Sequence, residues 1–587
     1  MLNRAFRQSL AGAVVSLISL TLQAAPELIV HNAAITSFDN QKFSAFAVED
    51  GRFSAVSADD KAILAMKGKD TLVIDANKRR LIPGMNDSHL HVVRGGRFYN
   101  LETRWEGVSS LKDALAMLTE QAQRTPDGQW VRVVGGWTPY QFDEKRMPTL
   151  DELNAAVPDK PAFLLFLYSG GMLNKVAMDA LGINKDSVAP AGSRYERDAE
   201  GNPTGLLIAD PNPMILYKTI AALPQLSEQE QYNSSLHFYR KLLSLGVTSA
   251  VDAGGGGHQF PDDYQASAAM AINGDLPIRL ANYLFPQQPK QELNQYAKWM
   301  SNYKQNQNLD GHKHNGYVIE GGGELLVWSA SDYENFTAER PDLQPEAEAE
   351  IEQVIRLHVL MGWPFRIHAT YDESISRMLT VLEKVNRDQP LSKVRWAFDH
   401  AETISDANLA RVKALGGGIA VQGRMAFAGE YFLERYGKEQ TFRSPPIKKM
   451  LAMGIPVGLG TDGTRVASFN PWAAYYWAVS GRTVGGTKLY GKDNRLDRLT
   501  ALQLFTQGST WFSAEELEKG QIKPGQLADF ALLDRDILTV DETKLLQTRS
   551  LLTVVDGKVR HASDEFAALA PALPKAIPHW SPVNYQP

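Results

Sequence analysis

Between Glu27 and about Leu81 short apolar runs alternate with turn residues: LIVHNAAITSF, FSAFAVEDGRFSAV and TLVIDANKRRLIPG. An Asp-Gly pair between two apolar runs, as in AVEDGRFSAV, predicts a β-hairpin, because a tight two-residue turn needs residues that tolerate positive φ. The same texture returns near the C-terminus in QLADFALLDRD and LLTVVDGKVRHA, with Asp556-Gly557 at the turn. Two β-rich ends around a long middle predict one small β-sandwich domain built from 26–81 and 519–565. The period changes over 82–518. There WVRVVGGW, PAFLLFLY, VTSAVDAGG, IRLANYLF, YVIEGGG, PFRIHAT, VRWAFDHAE, GIAVQG and IPVGLGTD read as strands, with amphipathic segments such as EAEIEQVIRLHVLMG and DELNAAV between them. Strands alternating with helices over this length predict an α/β fold of the (β/α)8 TIM-barrel class. A doubly wound sheet is the competing architecture. The stretch from about 107 to 223 exceeds one barrel repeat and reads as a large insertion. The Pro-rich tail, 566–587, reads as an extended surface segment.

Residues 1–25 fit neither pattern. Arg4 and Arg7 precede an apolar run from Leu10 to Leu22, and Ala24 and Ala25 close it. This is the layout of a secretory signal peptide, and the run is shorter than the roughly 20 residues of a spanning helix. The expected location is therefore periplasmic or secreted, with no stable membrane insertion. Composition narrows the chemistry further. The 587 residues include no cysteine, which excludes a thiol nucleophile, a disulfide framework and Cys-ligated metal. A formal charge of −6 gives no electrostatic reason to expect nucleic acid. A small-molecule substrate is the expected partner, and homo-oligomerisation is left open.

Active sites of (β/α)8 barrels sit where strands end at the C-terminal face. IPGMNDSHLH ends with His89 and His91, two apart and so on one face of a strand, where both imidazoles can meet one ion. Asp87, on the same face, is expected to orient an imidazole from behind. PFRIHAT ends near His368, VRWAFDHAE near His400, and IPVGLGTDG near Asp462. Any one of these is more simply a buried polar residue; the ordered set is not.

Together these residues resemble the amidohydrolase superfamily, and within it the amidohydrolase-3 (YtcJ-like) branch. IPGMNDSHLH is similar to the strand-one signature, GVTSAVDAGG to the strand-three segment, HAT and DHAE to the strand-five and strand-six histidines, and LGTDGTRVASFNPW to the strand-eight aspartate segment. The resemblance implies that His89, His91 and Asp462 hold a divalent ion, typically zinc, and that His368 and His400 hold a second or the only one. It implies that Asp462 takes a proton from the water activated there and passes it to the leaving group. Two departures stand out. Where binuclear members carry a bridging Lys, this chain has YVIEGGGELL, so Glu320, or in second place Glu324, is expected as a bridging carboxylate. The missing Lys favours one ion over two. Ser169 stands where branch members often carry His. His258, Trp137 and Trp328 are expected substrate contacts, whereas His312 and His314 precede a strand and are expected away from the catalytic face. The implied function is hydrolysis of a C–N bond in an amide, N-acyl or cyclic amide. The alternatives are ester, lactone or phosphoester hydrolysis on the same site, or a catalytically silent binding or regulatory protein.

Overall fold

The computed structural model describes residues 25–303, 316–333, 336–338, 340 and 342–585. Most of the expected signal segment, and His312 and His314, lie outside them. Eight strands pair in parallel in chain order: β1 Met85–Leu90, β2 Val247–Asp252, β3 Arg279–Leu284, β4 Tyr317–Gly322, β5 Phe365–Ala369, β6 Trp396–His400, β7 Gly418–Gln422 and β8 Val457–Gly460. The sheet curls until β8 meets β1. Asp462 N donates to His89 O at 2.9 Å, and the Asp87 carboxylate accepts from Thr461 N at 3.0 Å and Thr461 Oγ1 at 2.6 Å. This is a TIM barrel. At its N-terminal end, side chains at Gly418 and Gly458 would collide with the Trp511 and Phe512 rings. Glycine there admits two aromatic residues that, with Val251, Ala281 and Tyr283, plug the barrel floor away from the catalytic face.

Two of the β-like runs lie within the stretch, about 107–223, that the sequence reads as an insertion. WVRVVGGW and PAFLLFLY form Val131–Val134 and Ala162–Phe166 of a separate five-stranded sheet, inserted between β1 and β2. Periodicity cannot separate them from barrel strands, because both kinds are short, apolar and buried. The segment VTSAVDAGG is consequently the second barrel strand and not the third. The helix Glu228–Ser244, opened by a Ser227–Glu230 capping box, carries the chain from the insertion back to β2.

The chain ends meet in two sheets. One orders Arg52–Ser57, Ala45–Glu49, Leu28–His31 and Leu72–Asp75; the other orders Ala34–Ile35, Arg80–Pro83, Phe530–Leu533, Ser550–Val555 and Lys558–Ala562. Asp50-Gly51 and Asp556-Gly557 each close a hairpin with positive φ at both positions. Phe46, Phe53 and Phe530 meet edge to face between the sheets. The tail runs over the surface and is anchored there: Trp580 is buried against Leu101 and Leu226, and Asn233 donates to Lys575 O at 3.0 Å. Among the described residues no helix is long and apolar enough to cross a membrane.

Candidate metal centre

The C-terminal ends of β1, β5, β6 and β8 bring four histidines and Asp462 together, and the loop after β4 adds Glu324. His89 Nε2 lies 3.5 Å from Asp462 Oδ1, and His91 Nε2 lies 3.1 Å from the same oxygen. His400 Nδ1 is 3.8 Å from Asp462 Oδ2. Glu324 stands in the middle. Its Oε2 is 3.0 Å from His368 Nδ1, 3.3 Å from His400 Nε2 and 3.6 Å from His89 Nε2, while Oε1 is 3.6 Å from His91 Nε2. Ligand-capable atoms converge in two sets, His89–His91–Asp462 and His89–Glu324–His400, all of them buried. His400 and Asp462 both hold positive φ, 79° and 58°. Such backbone costs roughly 1–3 kcal/mol for a non-glycine residue and persists only where the surroundings enforce it.

Three of the four imidazoles are aimed by what holds their other nitrogen. His89 Nδ1 lies 3.0 Å from Asp399, which is itself paired with the buried Arg366. His91 Nδ1 donates to Gly254 O at 2.6 Å, and His368 Nε2 to Asp332 O at 2.9 Å. These partners leave His89 Nε2, His91 Nε2 and His368 Nδ1 pointing inward. Among the described residues His89 Nε2 and His400 Nδ1 are buried with no hydrogen-bond partner, which fits atoms that ligate a cation. The electrostatics agree. Burial opposes charge on His89, but the Asp399 and Glu324 carboxylates outweigh it and push its pKa up to about 10. Burial alone would raise Glu324 and Asp462, yet the surrounding imidazoles hold both well below the usual carboxylate range. Burial, helped by nearby guanidinium groups, lowers His91 and His400, which favours neutral rings able to ligate. A cluster that draws a proton this strongly draws a metal cation for the same reason.

The centre forms the floor of a cavity of about 350 Å³ whose walls include Arg94, Tyr168, Tyr217, Phe285 and Trp328. A family model described as the amidohydrolase family matches residues 72–561. The chain belongs to the amidohydrolase family. It is 24% identical to N-substituted formamide deformylase of Arthrobacter pascens over 91% of this chain and 98% of that protein. It is 23% identical to the putative amidohydrolase YtcJ of Bacillus subtilis (strain 168), over 89% of this chain and 96% of that one. In fold it resembles an uncharacterized metal-dependent hydrolase from Pyrococcus horikoshii OT3, with a TM-score of 0.61 and 23% identity over 88% of this chain and 99% of that one. Membership of the amidohydrolase family makes this chain a hydrolase.

The structure separates the residues singled out in the sequence. His89, His91, His368, His400 and Asp462 converge at the amidohydrolase centre, and Trp328 lines its cavity. Glu320 does not join them. It is fully buried in β4 beside Tyr283, whose phenol burial and the Glu320 charge push upward, and Glu324 takes the central position instead. Asp87 orients no ring, because its carboxylate accepts from the backbone of His89 and Thr461 and so locks β1 to β8. Asp399 holds the imidazole. Trp137 is fully buried among Trp105, Phe142 and Phe166 inside the insertion, away from the cavity. His258 lies 2% exposed against Tyr264 and does not reach the cavity wall. Sequence reasoning passed over Arg94, Tyr168 and Tyr217. Arg94 carried one signal: a charged residue three positions after His91, in a helix Val92–Phe98 whose first six residues are buried.

Proposed function

We propose that this amidohydrolase is exported and hydrolyses a C–N bond in an amide, N-acyl or cyclic amide of a small molecule, with zinc as its metal. The observation that carries the reading is the convergence of His89, His91, Asp462, Glu324, His368 and His400 on the floor of one cavity. His89, His91 and Asp462 would hold one ion and His368 with His400 a second. Glu324, within 3.6 Å of an imidazole nitrogen of all four histidines, would be a further ligand, and its carboxylate favours two ions. When bound, the metal supplies Lewis acidity that polarises the carbonyl and brings the pKa of water to about 7. The protein does the rest. Asp462 keeps one carboxylate oxygen on His89 and His91, and its Oδ2 turns towards His400 and Arg424. That second oxygen is placed to accept the proton of the attacking water and return it to the departing nitrogen. The formamide-cleaving relative supports an amide-type substrate. Export rests on residues 1–25, and recovery of a periplasmic form beginning near Ala25 is its check.

Metal analysis of purified protein is expected to find divalent ions, and His89→Ala to abolish hydrolysis across a panel of amides. Protein without divalent metal, together with an active His89→Ala variant, would sink the reading.

A further inference from the structure

One charged group in the cavity wall has no part in holding a metal. Arg94 is 4% exposed, yet its Nε and Nη2 have no hydrogen-bond partner among the described residues. Two other buried guanidinium groups near the centre are paired, Arg366 with Asp399 and Arg424 with Glu402. No carboxylate pairs with Arg94 at contact distance; Asp462 and Glu324 favour its charge from farther off, but both face the metal centre, so the guanidinium's donors are left for another partner. Arg94 has no route outward. Side chains at Gly95 and Gly96 would collide with Phe238 and Ser235, so its helix is pressed onto the helix Glu228–Ser244. The guanidinium faces the cavity instead. A Cβ at Gly255 would meet Arg94 Nη1 at 3.2 Å and His91 Nδ1 at 3.1 Å, which puts the cation next to a ligand imidazole. The three carboxylates lining the cavity are engaged elsewhere: Glu324 and Asp462 with imidazoles, and Asp332 with the backbone of Thr370 and Tyr371.

We propose that Arg94 is the binding site for an anionic group of the substrate. The substrate class is then an amide that also carries a carboxylate or equivalent anion, with an apolar or aromatic portion against Tyr168, Tyr217 and Trp328. A guanidinium presents a planar fork matched to a carboxylate, and the bond is strengthened where water is excluded. The anion on Arg94 and the scissile bond over Asp462 fix the molecule at two points, which orients the bond that breaks. The assignment rests on the amidohydrolase reading for the scissile bond, but not for the anion.

The test is calorimetric, on the zinc-loaded full chain, with 3-phenylpropionate and its uncharged counterpart 3-phenylpropan-1-ol as probes. The carboxylate is expected to bind at least about 30-fold tighter, a ratio that Arg94→Gln brings close to one and Arg94→Lys partly restores. A preference that survives Arg94→Gln places the carboxylate on the metal centre and overturns the proposal, as does the absence of any preference. Arg94→Met is expected to leave the Tm of the zinc-loaded chain unchanged or higher, since it breaks no contact ion pair; a fall of several degrees would show a structural role and overturn it too. Arg94-dependent anion binding in a protein that hydrolyses no amide would sink the catalytic reading and leave this one standing. Amide hydrolysis without that anion preference would do the reverse.

Discussion

The floor and the walls of the cavity are built by different means. The floor is made from strand ends: His89, His400 and Asp462 sit within two residues of the last residue of β1, β6 and β8, and backbone bonds such as Asp462 N to His89 O tie those ends together. The walls come from irregular pieces, including the helix Met214–Ala221 of the insertion, the run Gly255–Gly257 and Trp328 in the loop after β4. A parallel barrel dictates where its strand ends point, so the floor fixes the reaction class. Nothing periodic dictates the walls, so they are where the substrate is chosen. Changes to the floor should therefore act on turnover, and changes to the walls on affinity or on folding.

The hardest test of that division is Asp462→Asn. It removes the proton acceptor while keeping shape, so kcat is expected to fall by about 10²–10⁴-fold with the Tm little changed. Steady-state kinetics beside a thermal melt checks it. A variant with near-normal kcat would break the assignment of the floor. Next in size is Trp137→Ala. Trp137 is fully buried, meets Trp105 at 4.7 Å and donates from Nε1 to Leu165 O at 2.9 Å. Truncation is expected to lose about 3–5 kcal/mol of stability, read by urea melts, with KM of the remaining folded enzyme unchanged. A raised KM at unchanged stability would return Trp137 to the cavity wall.

The same division explains what could be read without coordinates. The four histidines and Asp462 were visible because each ends an apolar strand, and the strand period fixes the direction of its side chains. The inserted strands Val131–Val134 and Ala162–Phe166 carry no period that marks them off from barrel strands, because both faces are buried, so only the length of the stretch sets the insertion apart. Glu320 outranked Glu324 because it lies within the strand. Glu324 reaches the centre only through the turn after Gly322, where Gly323 N donates to Leu284 O and His368 N to Glu324 O. Trp137 and Trp328 carry no sequence signal that separates a packed core from a cavity wall. Asp399 was in view beside His400, yet its contact with His89 crosses two strands that are distant in sequence.

Between floor and helices lies Asp252, at the end of β2. It accepts from Val93 N at 3.2 Å and Tyr264 Oη at 3.2 Å, and burial outweighs these bonds to push its pKa up to about 7. The sign follows from linkage. Between the unfolded value near 4 and about 7, the folded chain keeps a proton that the unfolded chain releases, so stability falls as pH rises through that window. The loss is on the order of 4 kcal/mol. Asp252→Asn is expected to gain stability over the parent at pH 8 and little at pH 4, compared by urea melts at both. An equal difference at the two pH values would show that Asp252 stays charged in the fold.

The smallest effect expected is in the wall itself. Trp328 is half-buried, its Nε1 donates to Pro286 O at 3.0 Å, and its ring packs edge-on against Phe285 at 5.6 Å. One face remains for the cavity. Trp328→Ala removes apolar contact with bound substrate but touches no group that moves a proton, so the loss falls on ground state and transition state alike. KM is expected to rise about 5- to 30-fold, equivalent to roughly 1–2 kcal/mol, while kcat stays within about twofold. Trp328→Phe should recover part of it, because a smaller ring still covers some of the wall. Placed beside Trp137→Ala, this makes a matched pair: one residue type, one truncation, opposite readouts. If Trp328→Ala lowered kcat as severely as Asp462→Asn, the wall would be positioning the scissile bond, and the division between floor and wall would have to be redrawn with Trp328 on the catalytic side.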